Sequence, residues 1–180
     1  MVNAELLIHK YYEGQPELEN ILLRHSYKVA DMVMRICDAH PEFGLNREFL
    51  HEAAMLHDIG IIRTDAPGIK CFGTEPYICH GLIGGEILRQ EGLPQHARVA
   101  ERHTGTGLTK EMIEQQHLPL PNRDFTPETM EEQVVCYADK FFSKTRPDEE
   151  KTFERVLRSL ERFGDEGVKK MQDWHRIFAI

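Results

Sequence analysis

An all-α fold is the prediction for this sequence, and three observations carry it. Apolar residues recur at helical spacing in almost every segment. No run alternates apolar and polar residues with the period of a strand, and no internal repeat or low-complexity segment interrupts the pattern. Proline, asparagine and threonine stand where helices should begin.

Each element can be justified in order. Pro16, at a first helical position, opens a stretch to about residue 39 with Leu18, Leu22, Val29, Val33 and Ile36 on one face. Asn46 reads as the N-cap of a second helix that ends at Gly60. Further helices are expected over about 78–90, 95–103 and 110–116. Thr126-Pro127-Glu128 supplies a cap, a first-turn proline and an acid that suits the helix dipole, for a helix running to about residue 144. Two charged amphipathic stretches, 148–162 and 165–178, finish the chain; their apolar faces suit core packing, or else a homodimer contact. Two irregular regions remain: 61–77, with Pro67, Gly68, Gly73 and Pro76, and 104–125, with two glycines, Pro119 and Pro121.

The 180 residues suffice for one domain over 1–180, with a core at about 20–145 and the helices of 148–178 packed on it. A net charge of -8 argues against a nucleic-acid polymer as partner, since backbone binding needs a basic surface. The first residues lack the apolar core of a signal peptide and no run is long enough to span a membrane, so a cytoplasmic protein with no membrane partner is expected. Cys37, Cys71, Cys79 and Cys136 show no CxxC pairing and read as buried, reduced thiols.

Ten histidines make the chain histidine-rich. His9, His40, His51, His117 and His175 lie among polar neighbours or at expected ends and read as surface residues, while His96 stays open. Four others sit on apolar faces. His25 lies one turn from Ile21, Leu22 and Val29; His57 follows Ala53 and Ala54; His80 precedes Ile83 and Ile87; His103 follows Val99 and Ala100. Asp58, beside His57, and Asp139, between Val135 and Phe142, are acids in the same kind of place. A buried carboxylate needs a cation or donors, and imidazole with carboxylate is a ligand set for Fe, Mn, Co, Ni or Zn. The lack of a cysteine set argues against a structural zinc.

In order, His25, His57-Asp58 and Asp139 match the H…HD…D signature of the HD-domain superfamily, and Leu56-His57-Asp58-Ile59-Gly60 resembles its HDIG form. The resemblance covers about residues 20–145 and implies a single helical HD domain in which these four residues hold one divalent metal. His80 and His103 fit the extended pattern of branches that bind a second ion, with Asp58 bridging the two. His103-Thr104-Gly105 is similar to the HTTG-like motif of bacterial dinucleoside-tetraphosphate hydrolases of the superfamily. Where many members place a lysine soon after the doublet, this chain has Ile61, Ile62 and then Arg63. Its C-terminal segment does not follow the dinucleotide hydrolases closely, and it has no GYP-type motif.

The resemblance implies a metal-dependent phosphohydrolase that acts on a nucleotide, dinucleoside polyphosphate or other small phosphate ester. Asp58, as bridging ligand, would orient the water activated by one or two transition-metal ions. Arg63, five residues past Asp58, with Thr104 and Lys140, which directly follow ligands, are the candidate substrate-binding residues; Arg24 and Arg102 also adjoin ligands, with weaker cases. Two other readings use the same ligands: a di-iron oxygenase of the superfamily, or a non-catalytic module that binds a nucleotide or a partner.

Overall fold

The helical period becomes nine α-helices in the computed structural model, which describes residues 2–180. The helices are α1 (Ala4–Tyr12), α2 (Pro16–Ala39), α3 (Arg47–Leu56), α4 (His80–Gln90), α5 (Pro94–Arg102), α6 (Lys110–Gln115), α7 (Met130–Asp139), α8 (Phe153–Leu160) and α9 (Asp165–Phe178). The all-α expectation holds. What the sequence did not announce is a small sheet in the irregular stretch after α3, formed by β1 (Thr64–Ala66), β2 (Cys71–Phe72) and β3 (Glu75–Pro76). Its order is β2-β1-β3, with β1 antiparallel to β2 and parallel to β3. Strands this short carry no readable alternation, so only the tertiary contacts create them.

The long helix α2 begins with Pro16 at its first position and buries Leu18, Leu22, Val29, Val33 and Ile36 against α3 and α7. Burying a Leu, Ile or Val side chain contributes about 1.5–3 kcal/mol, so this face anchors the bundle. Helix α1 lies outside the elements read from sequence. Asn3 caps it by accepting from the Leu6 amide, and Tyr12 at its end donates its hydroxyl to the Ile59 carbonyl at 2.8 Å.

Two expected boundaries move. Asn46 caps α3 as foreseen, but the helix stops at Leu56 and a 3-10 turn over Ile59–Arg63 follows, instead of a helix continuing to Gly60. Helix α7 starts at Met130, not near Thr126, because Thr129 and Glu132 form a reciprocal capping box. It ends at Asp139, so residues 140–144 leave the helix.

Helix α4 packs closely on α5 and on the turn after α3. Only glycine permits this spacing. A Cβ at Gly60 would stand 2.1 Å from the His80 carbonyl oxygen, and one at Gly81 would stand 2.7 Å from that of Ala100. Helices α8 and α9 pack on each other and α9 on α7, burying Val156, Leu160, Met171, Trp174 and Phe178. All four cysteines are free and buried. No helix among the described residues is long and apolar enough to cross a membrane.

Candidate metal centre

His57 is the residue that terminates α3 and His103 the one that terminates α5, and both exploit what a helix end leaves over. The last carbonyls of a helix have no amide partner. Here the Ala54 carbonyl accepts from His57 Nδ1 at 2.6 Å and the Ala100 carbonyl from His103 Nδ1 at 2.7 Å. His80, at the start of α4, likewise donates Nδ1–H to a carbonyl three residues earlier, that of Tyr77, at 2.6 Å. A carbonyl can only accept, so each Nδ1 carries a proton, and in the neutral rings of His80 and His103 this leaves a bare Nε2 facing inward. Local backbone chemistry thereby fixes the direction of three imidazoles, each with Nε2 turned inward.

Those nitrogens converge on Asp58, which is wholly buried. Its Oδ2 lies 3.1 Å from Nε2 of both His25 and His57. Its Oδ1 lies 3.4 Å from Nε2 of His80 and 3.3 Å from that of His103. Asp139 Oδ1 closes the first group, 3.0 Å from His25 Nε2 and 3.3 Å from His57 Nε2. Two ligand sets result, His25, His57, Asp58 and Asp139 on one side and Asp58, His80 and His103 on the other, each compact enough to hold one ion.

The donor atoms fit a metal better than they fit one another. His57 Nε2 and both Asp58 oxygens are buried without a geometrically sound hydrogen bond. His80 Nε2 and His103 Nε2 face each other at 3.0 Å, although both rings use their single proton on a carbonyl. Two lone pairs at that distance repel unless a cation lies between them. With metal–nitrogen bonds of about 2.1 Å, 3.0 Å is the spacing of two ligands at right angles on one ion. Uncompensated burial of charged groups costs several kcal/mol per ion, so the arrangement calls for cations.

Electrostatics agree. Burial pushes the pKa of His80 down to about 3, so its ring stays neutral, and it lowers His103 as well. Burial also opposes a charge on His57, yet the Asp58 and Asp139 carboxylates raise its pKa to about 9. Asp58 and Asp139 are held well below the usual carboxylate range against the penalty of burial, Asp58 chiefly by Lys144 and His57, Asp139 chiefly by Lys140 and His25.

A cavity of about 640 Å³ opens over these ligands. Thr104 and Lys140, two of the three residues expected to face substrate, line it. Lys140 is already engaged, with Nζ 2.6 Å from Asp139 Oδ2 and 2.7 Å from the His103 carbonyl, so it steers the other Asp139 oxygen toward the histidines. The third, Arg63, is not brought to the site. It ends the 3-10 turn with its guanidinium 3.7 Å from Glu86, half-exposed, because the early end of α3 rotates it away.

The residue that sequence reasoning missed is Lys144. Its Nζ lies 2.5 Å from Asp58 Oδ2, its side chain is 12 % exposed, and it lines the same cavity. The expected helix to residue 144 hid it. Pro147 and the polar run Ser143-Lys144-Thr145-Arg146 were the signal that the helix ends sooner and the chain folds back. Tyr77, stacked on His80 at 4.6 Å, and Lys151 also line the cavity. Of the remaining histidines, His96 is buried 3.0 Å from Glu52. His175, expected at the surface, is half-buried, stacked on Phe153 at 3.6 Å and hydrogen-bonded to Tyr137.

Comparison with known proteins places this geometry in context. Residues 22–143 match the sequence pattern of the HD domain. Over 129 residues, 71% of this chain, the sequence is 36% identical to a tRNA (cytidine(56)-2'-O)-methyltransferase of Picrophilus torridus, of which it covers 33%. An uncharacterized protein of Methanocaldococcus jannaschii is 40% identical over 61% of this chain and 60% of its own length. A methyltransferase of the same name from Thermoplasma volcanium is 30% identical over 76% of this chain and 35% of its own. The chain thus spans about a third of the length of those two methyltransferases. Among solved structures, the HD domain of the L. monocytogenes phosphodiesterase PgpH superposes with a TM-score of 0.55 at 19% identity, covering 93% of each chain. The same domain in complex with cyclic-di-AMP also gives 0.55, covering 97% of this chain and 98% of that one.

Proposed function

This chain belongs to the HD-domain family, and from that premise we propose that it is a metal-dependent phosphohydrolase acting on a nucleotide or another small phosphate ester. One observation carries the reading: the fully buried Asp58 turns one oxygen to His25 and His57 and the other to His80 and His103. A carboxylate can bridge two ions, whereas an imidazole cannot, and a two-ion site is a recurrent clamp for phosphoryl groups. His25, His57, Asp58, His80, His103 and Asp139 would be the ligands of up to two divalent ions. We treat residues 1–180 as one HD-type unit, with the helices after residue 148 packed on its core, and assign it to the cytoplasm on its four free thiols.

Divalent ions bound there would supply Lewis acidity, making a water more acidic and offsetting negative charge on phosphoryl oxygens. The chain's own residues do the rest. Nδ1–H bonds to nearby carbonyls fix three imidazoles in direction, with Nε2 turned to the ligand sites. Lys140 holds Asp139 in place and presents an ammonium to the cavity, and the Thr104 hydroxyl can donate to a phosphoryl oxygen. Pre-set donors and charges of this kind stabilise a phosphoryl transition state without reorganising.

A nucleotide is favoured because the PgpH domain shares the fold and was solved with cyclic-di-AMP. The methyltransferase relatives carry no such argument, since the chain spans only about a third of them.

The test is metal analysis of protein purified without chelator, followed by phosphate release from a panel of nucleotides. Expected are close to two equivalents of metal per chain and metal-dependent phosphate release, both lost in Asp58→Ala with helical content retained. Full activity in Asp58→Ala would sink the mechanism. Oxygen-dependent consumption of a substrate without phosphate release would assign the same ligands to an oxygenase.

A further inference from the structure

We propose that Lys144 is an exchangeable internal cation. In the metal-free chain its ammonium neutralises Asp58, and once a divalent ion takes that oxygen the ammonium moves into the cavity, where it receives the anionic oxygens of the substrate. The second half rests on the phosphohydrolase reading; the first does not.

The argument begins with which oxygen Lys144 holds. Its Nζ lies 2.5 Å from Asp58 Oδ2, the oxygen that is also 3.1 Å from Nε2 of His25 and of His57. That oxygen belongs to the four-residue ligand set, and a metal would bond it at about 2.0–2.2 Å. An ammonium and a divalent ion on one buried oxygen would be close like charges with little solvent between them, which is strongly unfavourable. Only one can stay.

Lys140 offers the contrast. It sits on Asp139 Oδ2, while Oδ1 of that residue faces the histidines, and it is tied a second time by the His103 carbonyl. It can therefore remain when a metal binds. Lys144 has no backbone anchor of that kind: its other partner is the Tyr77 side chain on the cavity wall, and it lies on a flexible four-carbon stem. The retreat path is also present. Lys144 lines the cavity beside Thr104, Lys140 and Lys151, with its ammonium 5.9 Å from the centre of the Tyr77 ring, a face that attracts cations. The segment carrying it lies outside any helix, between α7 and α8, and is pinned by the Ser143–Arg146 bridge and by the Lys151 amide on the Phe141 carbonyl. Its backbone can stay still while the side chain swings.

The test compares chelator-stripped wild type with Lys144→Met, which keeps the chain length and removes the charge. Calorimetric titration with Mn²⁺ should show the first equivalent binding about tenfold more tightly to the variant, a coupling of ordinary size between two sites. Metal-free Lys144→Met should melt at a lower temperature than the wild type, and saturating Mn²⁺ should remove the difference. Inorganic phosphate should bind the Mn²⁺-loaded variant about tenfold more weakly. Equal or weaker Mn²⁺ affinity in a folded variant overturns the exchange, and unchanged phosphate affinity overturns the receiving role. Should Lys144→Met not fold without metal, Lys144→Gln, which keeps a donor without the charge, must show the same tightening, and wild-type affinity there refutes the idea equally. None of these readouts needs turnover, so failure of the phosphohydrolase reading would show in catalysis and failure of the exchange in metal binding.

Discussion

Replacing Gly60 by alanine tests whether the end of the HDIG stretch is a packing device that places His80. The added Cβ would stand 2.1 Å from the His80 carbonyl oxygen and 2.4 Å from the Gly84 amide nitrogen, where ordinary contact begins at 3.4 Å. Both obstacles are backbone, so no side chain can swing aside. Either α4 or the turn after α3 must shift by roughly an ångström, which is the severe end of overpacking, at about 3 kcal/mol. For a chain of this length that corresponds to a melting temperature lower by about 6–12 °C. His80 begins α4, and its Nδ1 bond to Tyr77 and its 3.4 Å approach to Asp58 depend on the position of that helix. The variant should therefore also lose affinity for a second metal equivalent while keeping the first. Differential scanning calorimetry and Mn²⁺ titration read the two effects. Gly68→Ala is the control, since a Cβ there meets nothing within 4 Å, and it should change stability by about 0.5 kcal/mol or less. A Gly60→Ala protein that melts with the wild type and binds both equivalents would refute the packing argument.

The double variant His80→Ala, His103→Ala should drop metal content from near two equivalents to one, as read by elemental analysis; unchanged stoichiometry would show that these rings hold no ion. Arg63→Ala should leave both metal content and turnover within twofold of wild type, because its guanidinium faces Glu86 outside the cavity. A larger loss would put that residue back at the site. Hydrogen bonds from Arg98 and Arg102 bring the Glu128 carboxyl from an ordinary 4.5 down to about 2. Since the folded value is the lower one, its stabilising contribution is complete above 4.5 and disappears as pH falls toward 2. Urea unfolding should find Glu128→Gln less stable than wild type at pH 6 and level with it near pH 2; a gap that persists at low pH contradicts the assignment.

Sequence alone determined the helical class, the α2 face, the Asn46 cap and the six inward His and Asp positions, because each is written in local spacing. A histidine or aspartate at a core register is conspicuous wherever the helices later go. Tertiary structure decided everything that depends on distant segments meeting. It split the four histidines between the two oxygens of Asp58, and it paired three of them with a carbonyl three residues earlier, which for His57 and His103 is one that the helix end leaves free. It sent Arg63 to Glu86 and brought Lys144, 86 positions beyond Asp58 in the chain, onto that carboxylate. Lys144 was illegible for a physical reason. Helix α7 starts at a capping box, packs on α2, α5 and α9 and ends at Asp139, and the next loop then turns back over the cavity. Periodicity reports which face of a helix is buried; where a charge on a loop comes to rest is decided by the electrostatic demand of a buried carboxylate that lies far away in sequence.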